Sequence, residues 1–116
     1  MKINLKATGI ELTPAISDYA TRKISAIEKY LADPDSATAY VEVGKSTKHH
    51  KQGPYFRAEV RVSGNFYAKH EAEDLYAAID LVRDEIAHEL THAKDKRLKL
   101  VRRGGRVIKN IMRRWS

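Results

Sequence analysis

Apolar and polar residues alternate along four short segments of the chain. The apolar members are Ile3, Leu5 and Ala7 in the first segment, Ala39, Val41 and Val43 in the second, Phe56, Ala58, Val60 and Val62 in the third, and Phe66 and Ala68 in the fourth. Because successive side chains of a strand point to opposite faces, this alternation predicts four half-buried β-strands. A Gly64-Asn65 turn joins the last two, and the polar residues 45–54 predict a loop.

Two longer segments carry apolar residues at helical spacing. Their apolar positions are Ile16, Ala20, Ile24, Ile27 and Leu31, and then Leu75, Ile79, Val82, Ile86, Leu90 and Ala93. The first segment predicts a helix over residues 14–32, which begins at Thr13-Pro14 and ends before Asp33-Pro34-Asp35. The second predicts a helix that follows an acidic stretch over residues 71–74 and runs to near Lys99.

The order of these elements is β-α-β-β-β-α. Each helix has one apolar stripe and each strand has one apolar face, so two layers bury all of them. The sequence therefore predicts an α+β fold, a four-stranded sheet with both helices packed on one face. Double-stranded-RNA-binding modules have similar layers, but a shared fold does not establish a shared function.

The amino-acid composition excludes several classes of function. The 116 residues contain no cysteine, which excludes disulfides and thiolate chemistry. No apolar run reaches the roughly 18–20 residues of a membrane helix, and the first residues do not form a signal peptide. We therefore expect one cytoplasmic domain.

The net charge of +7 is distributed very unevenly. Residues 1–93 contain 12 basic and 14 acidic residues, a balance of −2, whereas residues 94–116 contain 10 basic residues and one acid, a balance of +9. A basic block of this kind is typical of a segment that binds a polyanion. Nucleic acid is the favoured partner, and an anionic membrane surface is the main alternative.

Three stretches resemble a known family. They are residues 10–16 (Ile-Glu-Leu-Thr-Pro-Ala-Ile), residues 27–31 (Ile-Glu-Lys-Tyr-Leu) and residues 73–80 (Glu-Asp-Leu-Tyr-Ala-Ala-Ile-Asp). With them, about residues 1–100 resemble the ribosome hibernation promoting factors, also called ribosome-associated inhibitors or light-repressed proteins. The resemblance implies a non-enzymatic domain that binds rRNA of the small ribosomal subunit in the channel of mRNA and tRNA. There it would block translation and protect idle ribosomes.

The resemblance also bears on domain organisation and partners. Long members of the family carry a C-terminal dimerisation domain, and this chain stops too soon for one, so it resembles a short form. We expect residues 1–100 to bind the ribosome and residues 101–116 to form a basic tail. Some short members end in acidic residues, and this chain departs from them. No cofactor, metal, small-molecule substrate or membrane partner is expected.

Candidate RNA-binding residues come from two sources. The resemblance implies Lys23, Lys29, His88, His92 and Lys96, which match basic positions of the family. The basic block adds Arg97, Lys99, Arg102, Arg103 and Arg106. From the residues alone, a solvated helix face is the favoured interpretation of the first group. The rival function in this class is a general RNA-binding module that needs no ribosome.

One motif points to a different chemistry. His88-Glu89-Leu90-Thr91-His92 matches the H-E-x-x-H signature of zinc hydrolases. No further histidine follows to supply a third protein ligand, and both histidines lie roughly 200–240° around the helix from Ile86, away from the core. We therefore expect exposed histidines and no catalytic residues.

Two further groups have open interpretations. Three tyrosines are predicted on or near the strand face opposite the apolar one, namely Tyr40, Tyr55 and Tyr67. There they either cover the sheet or stack on bases. The other three, Tyr19, Tyr30 and Tyr76, are expected in the core. In the tail, apolar residues recur at helical spacing among the basic ones, at Val107, Ile108, Ile111, Met112 and Trp115. This segment either docks on the domain, binds rRNA or touches a membrane surface.

Overall fold

A computed structural model describes residues 1–46 and 55–102 of the chain. In chain order it contains β1 (Lys2–Thr8), α1 (Pro14–Ser25), β2 (Thr38–Lys45), β3 (Phe56–Val62), β4 (Phe66–Ala72) and α2 (Leu75–Arg102). Two single 3₁₀ turns, Glu28–Tyr30 and Pro34–Ser36, lie between α1 and β2. The predicted α+β class and the β-α-β-β-β-α order are confirmed.

The four strands form one sheet in the order β1-β2-β3-β4. β1 pairs with β2 in parallel, whereas β2 with β3 and β3 with β4 are antiparallel. The parallel pair needs a crossover connection, which α1 supplies. The β3–β4 hairpin turns through Ser63 and Gly64, both at positive φ (49° and 76°), a backbone conformation that suits tight hairpins.

The hydrophobic core lies between the sheet and the two helices. α1 packs beside β1, and α2 lies across β3 and β4. The largest fully buried side chains come from α1, the segment that follows it, β2, β3 and α2; among them are Ile24, Ile27, Val43, Val60, Ile79, Val82 and Ile86. Among residues 1–46 and 55–102, no helix covers the opposite face of the sheet, where Lys2, Lys6 and Lys69 are exposed.

α1 begins as expected but ends early. The Thr13 hydroxyl accepts a hydrogen bond from the Ile16 amide at 3.2 Å, and Pro14 occupies the first turn. The predicted end near residue 32 is wrong, because α1 ends at Ser25 and the chain continues into the Glu28–Tyr30 turn. A spacing of three, as between Ile24 and Ile27, fits a 3₁₀ turn as well as an α-helix, so periodicity cannot separate them.

α2 extends well beyond the core. Its start is supported by the Asp74 carboxylate, which accepts a hydrogen bond from the Tyr76 amide at 3.0 Å. Leu90 is its last buried residue, and the helix ends at Arg102, three residues past the predicted end. Residues 91–102, here called the projecting end of α2, therefore add about 18 Å of helix beyond the packed part.

The loop predicted over residues 45–54 is shorter at its start. Lys45 belongs to β2, and the Ser46 amide donates a hydrogen bond to the Tyr55 carbonyl at 3.0 Å. Residues 47–54 lie outside the described residues. None of the helices described here is long and apolar enough to span a lipid bilayer.

Candidate nucleic-acid interface

The predicted stripe of His88, His92 and Lys96 lies on the outside of α2. All three residues are exposed, as the sequence predicted. The two imidazole rings stack at 6.5 Å between centroids with an interplanar angle of 15°. Their four-residue spacing places them one turn apart on one flank of the helix, from which their nitrogens can donate hydrogen bonds to an anionic surface.

Charge along α2 changes sign between its packed part and its projecting end. Residues 75–89 contain one basic residue, Arg83, against four acids. Residues 94–102 contain five basic residues against one acid, Asp95. Cations near a helix C-terminus also stabilise the helix through its macrodipole, so part of this pattern has a structural explanation. The density of positive charge nevertheless makes the projecting end the part of α2 best suited to a polyanion.

Among the candidate residues of the basic block, Lys96, Arg97, Lys99 and Arg102 lie in α2. Lys94 and Lys96 are exposed and form no ion pair among the described residues. Arg103, Arg106 and the apolar tail positions lie outside the described residues.

Lys23 has a role between the helices. Its ammonium lies 3.5 Å from Asp80 of α2 and 5.4 Å from the ring centroid of Tyr19. Asp80 and His88 are eight residues apart, which corresponds to about 12 Å along α2 and about 80° around it. The structure therefore does not join Lys23 to the histidine stripe, and an RNA contact by Lys23 remains a prediction. Lys29 is exposed and lies 5.1 Å from the ring centroid of Tyr30.

Tyr19 fixes the contact between α1 and α2. Its hydroxyl donates a hydrogen bond to Asp80 at 2.7 Å, which raises the pKa of the phenol above its ordinary value of 10.0. Tyr76 meets the Tyr19 ring edge-on at 4.8 Å. Tyr76 was expected in the core but is exposed, because it lies at the rim of this interhelical contact.

The H-E-x-x-H motif does not assemble a metal site among the described residues. His88 and His92 share a flank of α2, whereas Glu89 lies about 100° around the helix from His88. Within residues 1–46 and 55–102, no three His, Cys, Asp or Glu side chains are grouped to hold a metal ion. A zinc hydrolase needs three protein ligands around its metal, and the structure provides two neighbouring imidazoles.

The open face of the sheet carries a polar network that spans all four strands. Arg57 lies at its centre, with its side chain only 12% exposed. Its guanidinium donates to Glu42 at 2.8 Å and lies 3.6 Å from Glu59. Thr8 donates to Glu42 at 3.0 Å, and the Tyr67 hydroxyl donates to Glu59 at 2.6 Å. Sequence reasoning missed this network, although alternation had placed Arg57 and Glu59 on the polar face.

A glycine makes room for the Arg57 guanidinium. Gly44 pairs with Thr8 of β1 on one side and with Arg57 of β3 on the other. A Cβ at position 44 would stand 2.4 Å from the Thr8 carbonyl oxygen and 3.6 Å from Nη2 of Arg57. Any larger residue would push β1 away, so Gly44 is needed for the close approach of these strands.

Acid should weaken this network through Glu42. Hydrogen bonds from Arg57 and then Thr8 hold the pKa of the Glu42 carboxyl below its ordinary value of 4.5. Because the pKa of this carboxyl is lower in the folded than in the unfolded protein, its ionised form stabilises the fold at any pH above the unfolded-state pKa. This stabilisation is lost as the pH falls through the folded-state pKa. We expect Arg57→Gln to lose less stability than the parent protein between about pH 5 and pH 3, measured by urea unfolding.

The matched control for this prediction is Arg61→Gln. Arg61 lies on the same strand and face but has no carboxylate partner among the described residues. Arg61→Gln should keep the acid sensitivity of the parent protein. Equal acid sensitivity in the parent and Arg57→Gln would contradict the assignment.

Next to the Arg57 network, a row of planar side chains crosses the sheet. Register places Asn4 beside Tyr40, Tyr40 beside Arg61, and Arg61 beside Tyr67. We call these four residues the Tyr40 row. The Arg61 guanidinium carbon lies 5.4 Å from the Tyr67 ring centroid, and the row lines a shallow depression of about 600 Å³. The predicted exposure of Tyr40, Tyr55 and Tyr67 is confirmed.

Comparison with known proteins identifies the family. The model of the sigma 54 modulation protein / S30EA ribosomal protein family matches residues 3–98. The chain belongs to this family. Ribosome hibernation promoting factor from Klebsiella oxytoca is 33% identical over 97 residues, covering 83% of this chain and 96% of the relative. The factor from Azotobacter vinelandii is 34% identical over 99 residues, covering 84% and 87%.

Solved structures of S30EA-type proteins share the fold. The N-terminal domain of Thermus thermophilus protein Y is 29% identical, with a TM-score of 0.65 over 79% of this chain and 98% of that one. A ribosomal subunit interface protein from Coxiella burnetii is 18% identical, with a TM-score of 0.58 over 82% and 99%. The second likeness shows the fold alone.

Membership of the S30EA family confirms the predicted relationship to the ribosome hibernation factors. A ribosome-associated hibernation role is the function that this family carries, and its members are not enzymes. The match covers 96% of the Klebsiella relative and 51% of a ribosome hibernation promotion factor from Lactococcus lactis. The family match ends at residue 98, so it includes most of the projecting end of α2 and leaves the basic tail outside.

Proposed function

We propose that the protein binds rRNA of the small ribosomal subunit in the channel of mRNA and tRNA and so blocks translation in idle ribosomes in the cytoplasm. The observation that carries this proposal is the projecting end of α2, which is about 18 Å long and on which Lys94 and Lys96 are exposed. A helix that leaves the core in this way can enter a groove lined by phosphates, while the packed domain stays outside it and blocks the path.

The chemistry of this proposal is neutralisation and occupancy. Lysine and arginine side chains displace counterions from phosphates, a term that favours binding without base specificity. Arg97 and Arg102 offer the planar forks that suit phosphate oxygens, and Lys94 and Lys96 add point charges. We assign ribosome binding to residues 1–100 and auxiliary phosphate contacts to the basic tail, residues 101–116. No step of this mechanism requires a metal, a cofactor or a small-molecule substrate.

The test is competition on purified subunits. The protein should sediment with the small subunit, and prior loading of the subunit with mRNA and tRNA should remove it. Sedimentation with the large subunit alone, or undiminished binding to loaded small subunits, would contradict the proposed channel. Equal affinity for free duplex RNA would instead favour a general RNA-binding module.

Matched variants can locate the binding surface. Lys94→Gln with Lys96→Gln removes two charges from α2, and Lys2→Gln with Lys69→Gln removes two from the open sheet face. All four side chains are exposed. Only the first pair should weaken small-subunit binding, and it should lower the slope of log affinity against log salt by about 1.5. Equal losses from both pairs would show that net charge, rather than this surface, governs binding.

The histidine stripe should add a modest contribution to binding. His88→Ala with His92→Ala should leave folding intact, since exposed substitutions change stability by only about 0.5 kcal/mol each. Small-subunit affinity should fall modestly, because two hydrogen-bonding side chains are lost from this flank of α2. The readout is the dissociation constant of parent and variant.

Two outcomes would contradict this account of the histidines. Equal dissociation constants for the parent and the double variant would show that they do not contact phosphate. One zinc ion per chain in the purified protein, lost in the double variant, would favour the hydrolase interpretation of the H-E-x-x-H motif instead.

A further inference from the structure

We propose that the open sheet face is a second RNA-binding surface, on which the Tyr40 row stacks the bases of single-stranded RNA. This surface lies opposite the helices, so the inference does not depend on how the projecting end of α2 meets the ribosome. It uses the exposed rings of Tyr40 and Tyr67 and the guanidinium of Arg61, of which only the Tyr67 hydroxyl takes part in the Arg57 network.

The first support is the alignment of the row. Tyr40, Arg61 and Tyr67 lie on three adjacent strands at directly paired positions. Neighbouring strands are about 4.8 Å apart, so the two tyrosines stand roughly 10 Å apart with the Arg61 guanidinium between them. Aromatic rings and guanidinium planes on a sheet are the groups on which single-stranded RNA bases stack.

The second support is that the row is available. Tyr40 is 55% exposed and Tyr67 is 45% exposed, so both rings are accessible to a ligand. The Tyr67 hydroxyl is held by Glu59, which restrains the ring. Arg61 contacts the Tyr67 ring and forms no ion pair among the described residues, so its charge is not compensated there.

The third support is the charge around the row. In the next row of the sheet, Lys6 and Lys69 stand at the two edges, on β1 and β4, with Glu42 and Glu59 between them. Both carboxylates are already engaged by Arg57. The two lysines form no ion pair among the described residues and lie in the row next to the planar groups.

The remaining acid of this face lies further away. Glu71 pairs with Arg57 in register, two rows from Tyr40. The face therefore combines a row of planar groups with three cations that form no ion pair among the described residues, Arg61, Lys6 and Lys69, while the Arg57 network carries one positive charge against two carboxylates. A nucleic acid strand, with flat bases and anionic linkages, complements both features. A second protein copy would have to bring the same uncompensated cations against each other.

Photo-cross-linking with a short oligouridylate that contains 5-iodouridine tests this inference on the full chain. Iodouridine couples to an aromatic ring on which it stacks, and fragmentation of the tryptic peptides locates the coupled residue. Cross-links should appear at Tyr40 and Tyr67. The experiment is done at raised salt, which weakens phosphate contacts by the basic tail but leaves stacking in place.

Matched variants give the size of the effect. Tyr40→Phe keeps the ring and should bind the oligouridylate as the parent does. Tyr40→Thr keeps a strand-forming residue without a ring and should bind roughly 5- to 100-fold more weakly. Near-identical thermal unfolding of these two variants would show that the loss comes from the ring and not from misfolding.

Three outcomes would overturn the inference. The first is that cross-links are confined to the tail, and the second is that Tyr40→Phe and Tyr40→Thr bind the oligouridylate equally. The third is that the free protein forms a dimer that Tyr40→Thr dissociates, because this face would then be a protein interface. Lys94→Gln with Lys96→Gln serves as the reciprocal control. It should weaken small-subunit binding yet leave the Tyr40 cross-link in place, so the two proposals can fail separately.

Discussion

Deletion of residues 103–116 is expected to reduce the slope of log affinity against log salt for small-subunit binding by about 4. The deleted segment contains five basic residues and no acid. Each phosphate contact contributes roughly 0.7 to 0.9 to this slope, because binding releases counterions condensed on the nucleic acid. The shortened protein should still compete with mRNA and tRNA, since the core residues that the structure describes and the projecting end of α2 remain. Filter binding or sedimentation across a salt series provides the measurement.

A charge-only variant separates electrostatics from packing in the tail. Glutamine at all five basic positions of residues 103–116 keeps Ile108, Ile111, Met112 and Trp115. This variant should show the same reduction in the slope of log affinity against log salt as the deletion does. An unchanged slope after deletion would show that the tail does not touch the ribosome, and binding of the tail to anionic vesicles would then favour the membrane interpretation. Loss of cooperative unfolding on deletion would mean that the apolar tail residues dock on the domain.

Replacement of Ile79 by alanine should cost about 2–5 kcal/mol of unfolding free energy. Ile79 is 0% exposed and lies among the core residues that α2 contributes. The loss combines the transfer free energy of the deleted methyl and methylene groups with the cavity that the rigid sheet cannot fill. Because domains of this size are stable by only about 5–15 kcal/mol, this single change would consume much of that margin.

Leu81→Ala is the matched control for Ile79→Ala. Leu81 stands two residues further along α2 and is 44% exposed, on the side of the helix away from the sheet. Its replacement should change stability by about 0.5 kcal/mol or less. Urea unfolding of the three proteins at neutral pH gives both values. Similar losses for the two variants would contradict the orientation of α2 on the sheet.

Local patterns along the chain were sufficient to predict the elements and their faces. Alternation at Val41 and Val43 or at Ala58 and Val60 reflects the period of a strand, and the spacing of Ile79, Val82 and Ile86 reflects that of a helix. These periods are set by backbone geometry, which acts over a few residues. The exposure of His88 and His92 follows from the same angular argument, since they lie opposite the apolar stripe of their own helix.

The basic block was also evident from the sequence, because charge is a property of residues and not of their arrangement. The sequence did not show that part of this block lies on a helix that extends beyond the core. The helical pattern continues past Leu90, the last residue of α2 that is described as buried, and does not show where packing against the sheet stops.

Contacts between distant parts of the chain were decided by the tertiary structure. Arg57 meets Glu42, and Tyr40 meets Arg61, because the register of β2 against β3 brings them together. A shift of one residue would turn every side chain of a strand to the other face, and such register is fixed by the packing of the whole apolar face. The ion pair of Lys23 with Asp80 likewise depends on how the two helices lie on the sheet. The sequence determined which residues are polar, charged or aromatic and where along each element they stand. Long-range packing determined which of them became neighbours, because strand register and helix placement depend on burial summed over the entire core.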